Sequence, residues 1–113
     1  MHPDIRTWLY DILNVIDEIK LFTESVAEDF TLYEKDLKTR RAVERSLSII
    51  GEAMNRISKK DPAIELTDIR LIIATRNRII HGYETISNGV IWQIIQDDLP
   101  VLRKEVEALM NKV

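Results

Sequence analysis

Residues 67–82 read TDIRLIIATRNRIIHG, a run whose hydrophobic residues recur at helical spacing until a glycine ends it. At about 100° per residue, four isoleucines fall within roughly 60° of one line along such a helix: Ile69, Ile72, Ile73 and Ile80. Arg76 falls in the middle of that line. A guanidinium on a hydrophobic face needs a carboxylate, a phosphate or several carbonyls, because an unpaired buried charge is costly. The run therefore predicts a helix that carries a polar site.

The same spacing predicts three further helices, over residues 3 to about 28, about 36 to 58, and 88 onward. Thr67 suits the N-cap of the helix that ends at His81, and Asn88 suits the N-cap of the helix that follows it. Residues 29–34 lack the period, and Pro100 should kink or split the last helix near Asp97 to Leu99 because it has no amide donor. No stretch alternates as a strand does. The short connections favour an all-α, antiparallel, up-and-down four-helix bundle in one domain, residues 1–113.

Composition narrows the class of protein. A chain of 113 residues with 45% hydrophobic content can bury a core without disulfides, and it contains no cysteine, so thiolate chemistry and cysteine zinc sites are excluded. No hydrophobic run approaches the roughly 18 residues of a membrane span. The first residues do not resemble a signal peptide. We expect a cytoplasmic protein that does not contact a membrane.

Charge is unevenly distributed along the chain. Residues 35–81 hold eleven Lys or Arg against six Asp or Glu, a net charge of +5, whereas the whole chain carries -3. A basic middle suits a protein that binds a phosphate backbone. Helices with mixed, solvated surface charge would give the same count, so both interpretations remain open.

The end of the 67–82 helix gathers chemically capable side chains. Asn77 and His81 are four residues apart and share a face, and Gly82 supplies the left-handed residue that commonly ends helices. The alternative interpretation is purely structural, because cationic side chains in a last turn also complement the helix dipole. With only two histidines, no Glu-x-x-His pair, no phosphate-binding glycine loop and no dinucleotide fingerprint, we expect neither a metal nor a cofactor.

Phosphodiester chemistry without a metal fits these residues best. An imidazole can take the proton of an RNA 2′-hydroxyl, and a nearby guanidinium can stabilise charge on the pentacoordinate phosphate. His81 and Arg76 suit these roles, but five residues apart on a helix their side chains diverge by about 140°. Cleavage also needs both a base and an acid. In a two-fold homodimer whose third helices face each other, each copy would supply a histidine and an arginine to one composite cleft. Such a dimer would provide both a base and an acid, and would bring an imidazole close to a guanidinium.

The same residues resemble the HepT-like branch of the HEPN (higher eukaryotes and prokaryotes nucleotide-binding) domains. The match consists of Arg76 followed by Asn77, then His81 and Tyr83, and it extends over nearly the whole chain through residues 42–53 and 92–100. This resemblance implies an all-α dimeric toxin of a toxin-antitoxin pair that cuts RNA without metal through Arg76 and His81, with Asn77 in the same polar cluster. It also implies an antitoxin partner, a small nucleotidyltransferase that transfers AMP from ATP to Tyr83. The added phosphate would repel RNA.

Other assignments stay open. Two interpretations of Glu52 are open: it pairs with Arg76 or orients His81, or it only forms a surface or interhelical ion pair. Asp98 falls near the inner stripe of the last helix, yet its position just before Pro100 is typical of a cap. Instead of a nuclease, the chain could be a catalytically silent helical partner, or a substrate-presenting subunit, of a nucleotidyltransferase. A weaker alternative is an adaptor bundle without a role in RNA binding.

Overall fold

The computed structural model describes residues 1–81 and 87–112, and all regular secondary structure in these ranges is helical. The elements in chain order are α1 (Pro3–Glu24), α2 (Phe30–Lys35), α3 (Leu37–Lys60), α4 (Ile69–His81), α5 (Asn88–Gln93), a π-helical segment (Ile94–Asp98) and α6 (Leu99–Met110). The predicted all-α class is confirmed. Among these residues no helix is long and apolar enough to cross a membrane. The extent of the domain over residues 1–113 stays a prediction.

Four long helical stretches form the bundle: α1, α3, α4, and the continuous run from α5 to α6. Helix α1 lies antiparallel to α3, since Lys60 at the end of α3 bonds Asp4 at the start of α1 over 3.3 Å. It also lies antiparallel to α6, because the Arg6 side chain donates to the Met110 carbonyl over 3.2 Å. Helix α3 packs against both α1 and α4. It is therefore the central element of the face that carries Arg76.

The core is formed by the hydrophobic residues that line one face of each long helix. Side chains that are fully buried come from every long helix and include Leu9, Ile12, Ile19, Val43, Leu47, Ile50, Met54, Ile57, Ile72, Ile91, Leu102 and Val106. On α3 these residues recur at steps of three or four, and on α1 the buried Ile16 fills the step between Ile12 and Ile19, so one face of each of these helices is removed from water. The pattern in the sequence identified this core.

The segment between the first two long helices differs from the prediction. Helix α1 ends at Glu24 rather than near residue 28, because Ala27 and Glu28 adopt left-handed φ angles of 56° and 53°. The short helix α2 then occupies residues that were predicted to lack structure. The Asp29 side chain caps it, accepting from the Thr31 amide over 2.8 Å. Six residues are too few to show a helical period, so this element could not be recognised from spacing.

Two predicted caps are wrong. Helix α4 begins at Ile69, and the hydroxyl and amide of Thr67 donate instead to the Glu105 carboxylate on α6. Helix α5 is capped by Ser87, whose hydroxyl accepts from the Gly89 amide over 3.1 Å. Each true boundary lies within two residues of the predicted one, because several polar residues near a helix start can serve as its cap.

The predicted irregularity before Pro100 is confirmed. Residues Ile94–Asp98 form a π-helical segment, and the Leu99 amide donates to the Ile94 carbonyl, five residues back. Pro100 then sits in the first turn of α6, directly after the π-helical segment, and has no amide to donate to the preceding turn. Asp98 directly precedes α6 but its side chain makes no capping hydrogen bond, so the structure does not support the cap, one of the two interpretations left open by the sequence.

An aromatic cluster attaches α2 to α5. Tyr33 is completely buried, and its ring centroid lies 4.9 Å from that of Trp92. Burial raises the pKa of the Tyr33 phenol to about 12; the Glu44 carboxylate adds to this effect and the Arg40 guanidinium opposes it. The phenol oxygen has no hydrogen-bond partner among the described residues. Ionising this group inside the fold is therefore costly.

The free energy of unfolding should fall as the pH rises from 10 toward 12, because the unfolded chain releases the Tyr33 proton near its ordinary pKa of 10.0 and the folded chain retains it. The loss from this residue should reach roughly 2 kcal/mol at most. Urea unfolding at pH 8 and pH 11.5 of the wild type and of Tyr33→Phe measures it. Tyr33→Phe should lose less than the wild type. Equal losses would contradict the assignment, since lysine titration affects both proteins alike.

Candidate active site

The site is built on a close contact between α3 and α4. A methyl group placed at Gly51 would lie 2.3 Å from the Arg76 Cβ, far inside contact distance, and 3.2 Å from the Ile72 carbonyl oxygen, which is a tight contact. Glycine within a helix costs about 1 kcal/mol relative to alanine. Here it allows α4 to approach α3 so closely that the stem of Arg76 packs on bare backbone.

Arg76 is held by two polar side chains. Its Nη2 donates to Glu52 Oε2 on the facing helix α3, and its Nη1 donates to Asn77 Oδ1 over 2.8 Å. The guanidinium side chain is 22% exposed, so it lies mostly beneath the surface. Of the partners that the sequence allowed for the Arg76 guanidinium, the structure shows a carboxylate, that of Glu52. The remaining N–H groups of the guanidinium can donate to a ligand.

Arg76 and Glu52 line an open pocket of about 380 Å³ between α1, α3 and α4. The other contributors to its wall are Trp8, Asp11, Arg45, Ser48, Ile49, Ala53, Arg56 and Ile80. Three arginines oppose two carboxylates, which leaves a small positive balance suited to an anionic group. A guanidinium with free donors in such a pocket can bind a phosphate and stabilise charge that develops on it.

Hydrophobic side chains surround this polar centre. Ile49 is 40% exposed and Ile80 is 48% exposed, and Trp8 beside them is partly buried. These isoleucines add exposed hydrophobic surface to the wall of the charged pocket.

The structure brings together some of the predicted site residues and not others. Arg76, Asn77 and Glu52 form one hydrogen-bonded group. His81, the last residue of α4, is exposed, and the part of the pocket wall that the structure describes does not include it. Tyr83 and Gly82 lie outside the described residues.

Asp98 lies in another region of the bundle. Burial raises the pKa of its carboxyl, and the neighbouring carboxylates of Asp68 and Asp97 raise it further. In the described ranges no three side chains of His, Cys, Asp or Glu are close enough to hold a metal ion. The metal independence of the site stays a prediction.

Comparison with known proteins identifies the family. The family model described as "Ribonuclease HepT-like" matches residues 12–109, which is most of the chain and includes every described residue of the candidate site except Trp8 and Asp11. The chain belongs to the HepT-like family. The resemblance drawn from the motif is thereby confirmed. No solved structure matches the chain.

Similar proteins span nearly the same length as this HepT-like chain. "Putative RNase MJ1380" of Methanocaldococcus jannaschii is 33% identical over 110 residues, which cover 94% of this chain and 96% of that protein. "Putative RNase MJ0127" of the same organism is 34% identical over 97% of this chain and 90% of that protein. "Probable ribonuclease HepT" of Thermococcus cleftensis is 33% identical over 92% of this chain and 94% of that protein.

Sequence reasoning missed two features of the HepT-like site. Arg56 donates through Nε to Glu52 Oε1 over 3.2 Å, so the Glu52 carboxylate contacts two arginines. The spacing of Arg45, Ile49, Glu52 and Arg56 is helical and could have shown that they share one face. Gly51 is an isolated glycine in the sequence, and nothing within one helix reveals how closely another helix approaches it.

Gly51→Ala should destabilise the fold by roughly 1–3 kcal/mol, because the added methyl overlaps the Arg76 stem and forces α3 and α4 apart. Urea unfolding monitored by far-UV circular dichroism measures the change. Gly89→Ala is the matched control, since its methyl would meet only the Ser87 hydroxyl at 3.4 Å inside helix α5. It should be neutral or slightly stabilising. A Gly51→Ala protein as stable as the wild type would disprove the close contact.

Proposed function

We propose that this HepT-like chain is a metal-independent RNA endonuclease and the toxin of a toxin-antitoxin pair, acting in the cytoplasm. Its support is the pocket in which Glu52 and Asn77 hold the Arg76 guanidinium with donors to spare. The family match and the ribonuclease names of its relatives indicate the substrate class. The sequence predicts no second group of side chains that could bind a phosphate.

The proposed chemistry is internal phosphoryl transfer. The His81 imidazole takes the proton of a 2′-hydroxyl, the 2′-oxygen bonds to phosphorus, and the bond from phosphorus to the 5′-oxygen breaks. Arg76 stabilises the charge on the pentacoordinate phosphate, assisted by Asn77. An imidazolium gives a proton to the departing 5′-oxygen. The products are a 2′,3′-cyclic phosphate and a 5′-hydroxyl.

The proposed active unit is a homodimer with a composite site. Within one chain the described pocket contains Arg76 without His81, and one imidazole cannot be base and acid in the same step. A second copy related by a two-fold axis would supply the other histidine and arginine. The exposed Ile49 and Ile80 beside the pocket would be covered in such a dimer.

The proposed partner is a nucleotidyltransferase antitoxin that modifies Tyr83. The phenol oxygen would attack the α-phosphate of ATP, pyrophosphate would leave, and the phenol proton would pass to solvent. Tyr83 is two residues from His81 in the sequence. AMP attached there would place a negative charge beside the RNA site and repel the substrate.

A second candidate function is a catalytically silent subunit that binds or presents substrate to a nucleotidyltransferase. One observation favours it: the described part of the pocket wall contains Arg76 but not His81. This alternative needs no RNA cleavage.

Arg76→Gln and His81→Ala should each lower RNA cleavage by roughly 100-fold or more, because they remove charge stabilisation and proton transfer. Purified protein is incubated with RNA in EDTA, and the ends are analysed for cyclic phosphate. Arg78→Gln is the matched control on the opposite, exposed side of α4 and should cleave normally. Wild-type protein that leaves RNA intact would favour the silent subunit, whereas His81→Ala protein that cleaves as well as the wild type would show that His81 is not the base.

Coexpression with the nucleotidyltransferase should add the mass of one AMP to the chain, and Tyr83→Phe should abolish this addition. Intact-mass spectrometry after incubation with ATP measures it. Tyr10→Phe is the control, because Tyr10 is an exposed tyrosine on α1, outside the motif in the sequence. An AMP group retained on Tyr83→Phe would show that another residue is the acceptor.

A further inference from the structure

Glu52 lies between two arginines, and each of its carboxylate oxygens contacts a different one. Arg76 Nη2 donates to Oε2, and Arg56 Nε donates to Oε1 over 3.2 Å. The Glu52–Arg56 contact joins residues four apart on α3, whereas the Glu52–Arg76 contact joins two helices. The carboxylate is thus fixed at both oxygens.

The two arginines differ in depth. Both side chains line the pocket, but that of Arg76 is 22% exposed whereas that of Arg56 is 57% exposed. This difference in exposure suggests different roles for the two arginines. The Arg56–Glu52 ion pair lies near water and adds little stability on its own, but it restricts the Glu52 carboxylate.

Glu52 alone would be a poor companion for a phosphate-binding arginine. Its negative charge would cancel that of Arg76 and repel an incoming phosphate. With Arg56 added, the three groups carry a net charge of +1, and Glu52 can orient Arg76 without neutralising the site. The same contact prevents the carboxylate from rotating away.

We infer that Arg56 is a positioning residue, which acts through Glu52 to keep the Arg76 guanidinium oriented and available to the scissile phosphate. This inference rests on the proposed nuclease function. It assigns Arg56 no contact with RNA. An alternative role, direct binding of the RNA backbone by Arg56, predicts different kinetics and is separated from it by the experiment.

Steady-state cleavage kinetics test this assignment in a double-mutant cycle. Arg56→Gln should lower kcat roughly fivefold to tenfold with KM almost unchanged, and should have no further effect in Glu52→Gln protein, because coupled residues are not additive. Arg56→Lys keeps the charge and should retain most of the activity. Arg41→Gln is the control: it removes an equal charge from α3 and breaks the Arg41–Glu44 ion pair, and should cleave normally.

Several outcomes would overturn the assignment. Independent losses from Arg56→Gln and Glu52→Gln would do so, as would an Arg56→Gln effect confined to KM with a weaker dependence on salt, the behaviour of a direct phosphate contact. An equal loss in Arg41→Gln would attribute the effect to net charge alone.

Guanidinium NMR tests the same assignment without relying on activity. Arg76 Nη groups held by Glu52 and Asn77 should rotate slowly and give separate signals, identified by their loss in Arg76→Gln. These signals should merge in Arg56→Gln and in Glu52→Gln, and stay separate in Arg41→Gln. Unchanged Arg76 signals in Arg56→Gln would refute the positioning role. Failure of the wild type to cleave RNA would instead refute the proposed function, and the NMR result would still decide how Arg76 is held.

Discussion

The absence of a side chain at residue 51 sets the distance between α3 and α4, and the candidate site depends on that distance. Gly51 accepts the stem of Arg76 against its backbone, and the next residue, Glu52, receives the guanidinium. Gly51 therefore allows the close packing of the two helices, and its neighbour Glu52 provides the ion pair with Arg76. A larger residue would separate the helices and move the charged end of Arg76 away from its carboxylate.

Much of the fold was predictable because each long helix buries one periodic stripe. Ile50, Met54 and Ile57 on α3 were identified in this way, and the irregularity before Pro100 follows from the missing amide. The short helix α2 and the early end of α1 were not predictable. They depend on local capping by Asp29 and on left-handed residues that are not glycine, neither of which has a periodic signature.

The site was predictable only in part. An arginine on a hydrophobic stripe implied a partner, and Glu52 was among the candidates because a carboxylate nearby in space can satisfy it. The i,i+4 spacing of Glu52 and Arg56 allows their contact on α3, but spacing within one helix could not show that Arg76 on α4 shares the same carboxylate. The family match supports the RNA-cleaving interpretation, while the roles of His81 and Tyr83 stay predictions.

The π-helical segment also bears on how the length of the chain can vary. A π turn holds one more residue than an α turn, and it confines that residue locally, so the helices on either side keep their buried faces. Removing one residue from this wide turn would preserve both faces, whereas a deletion elsewhere in the last helix would rotate one end by about 100° relative to the other. If the π turn lost its extra residue and became an α turn, the ring of Pro100 would clash with the backbone of the preceding turn. The extra residue and the proline are therefore expected to be gained or lost together among relatives.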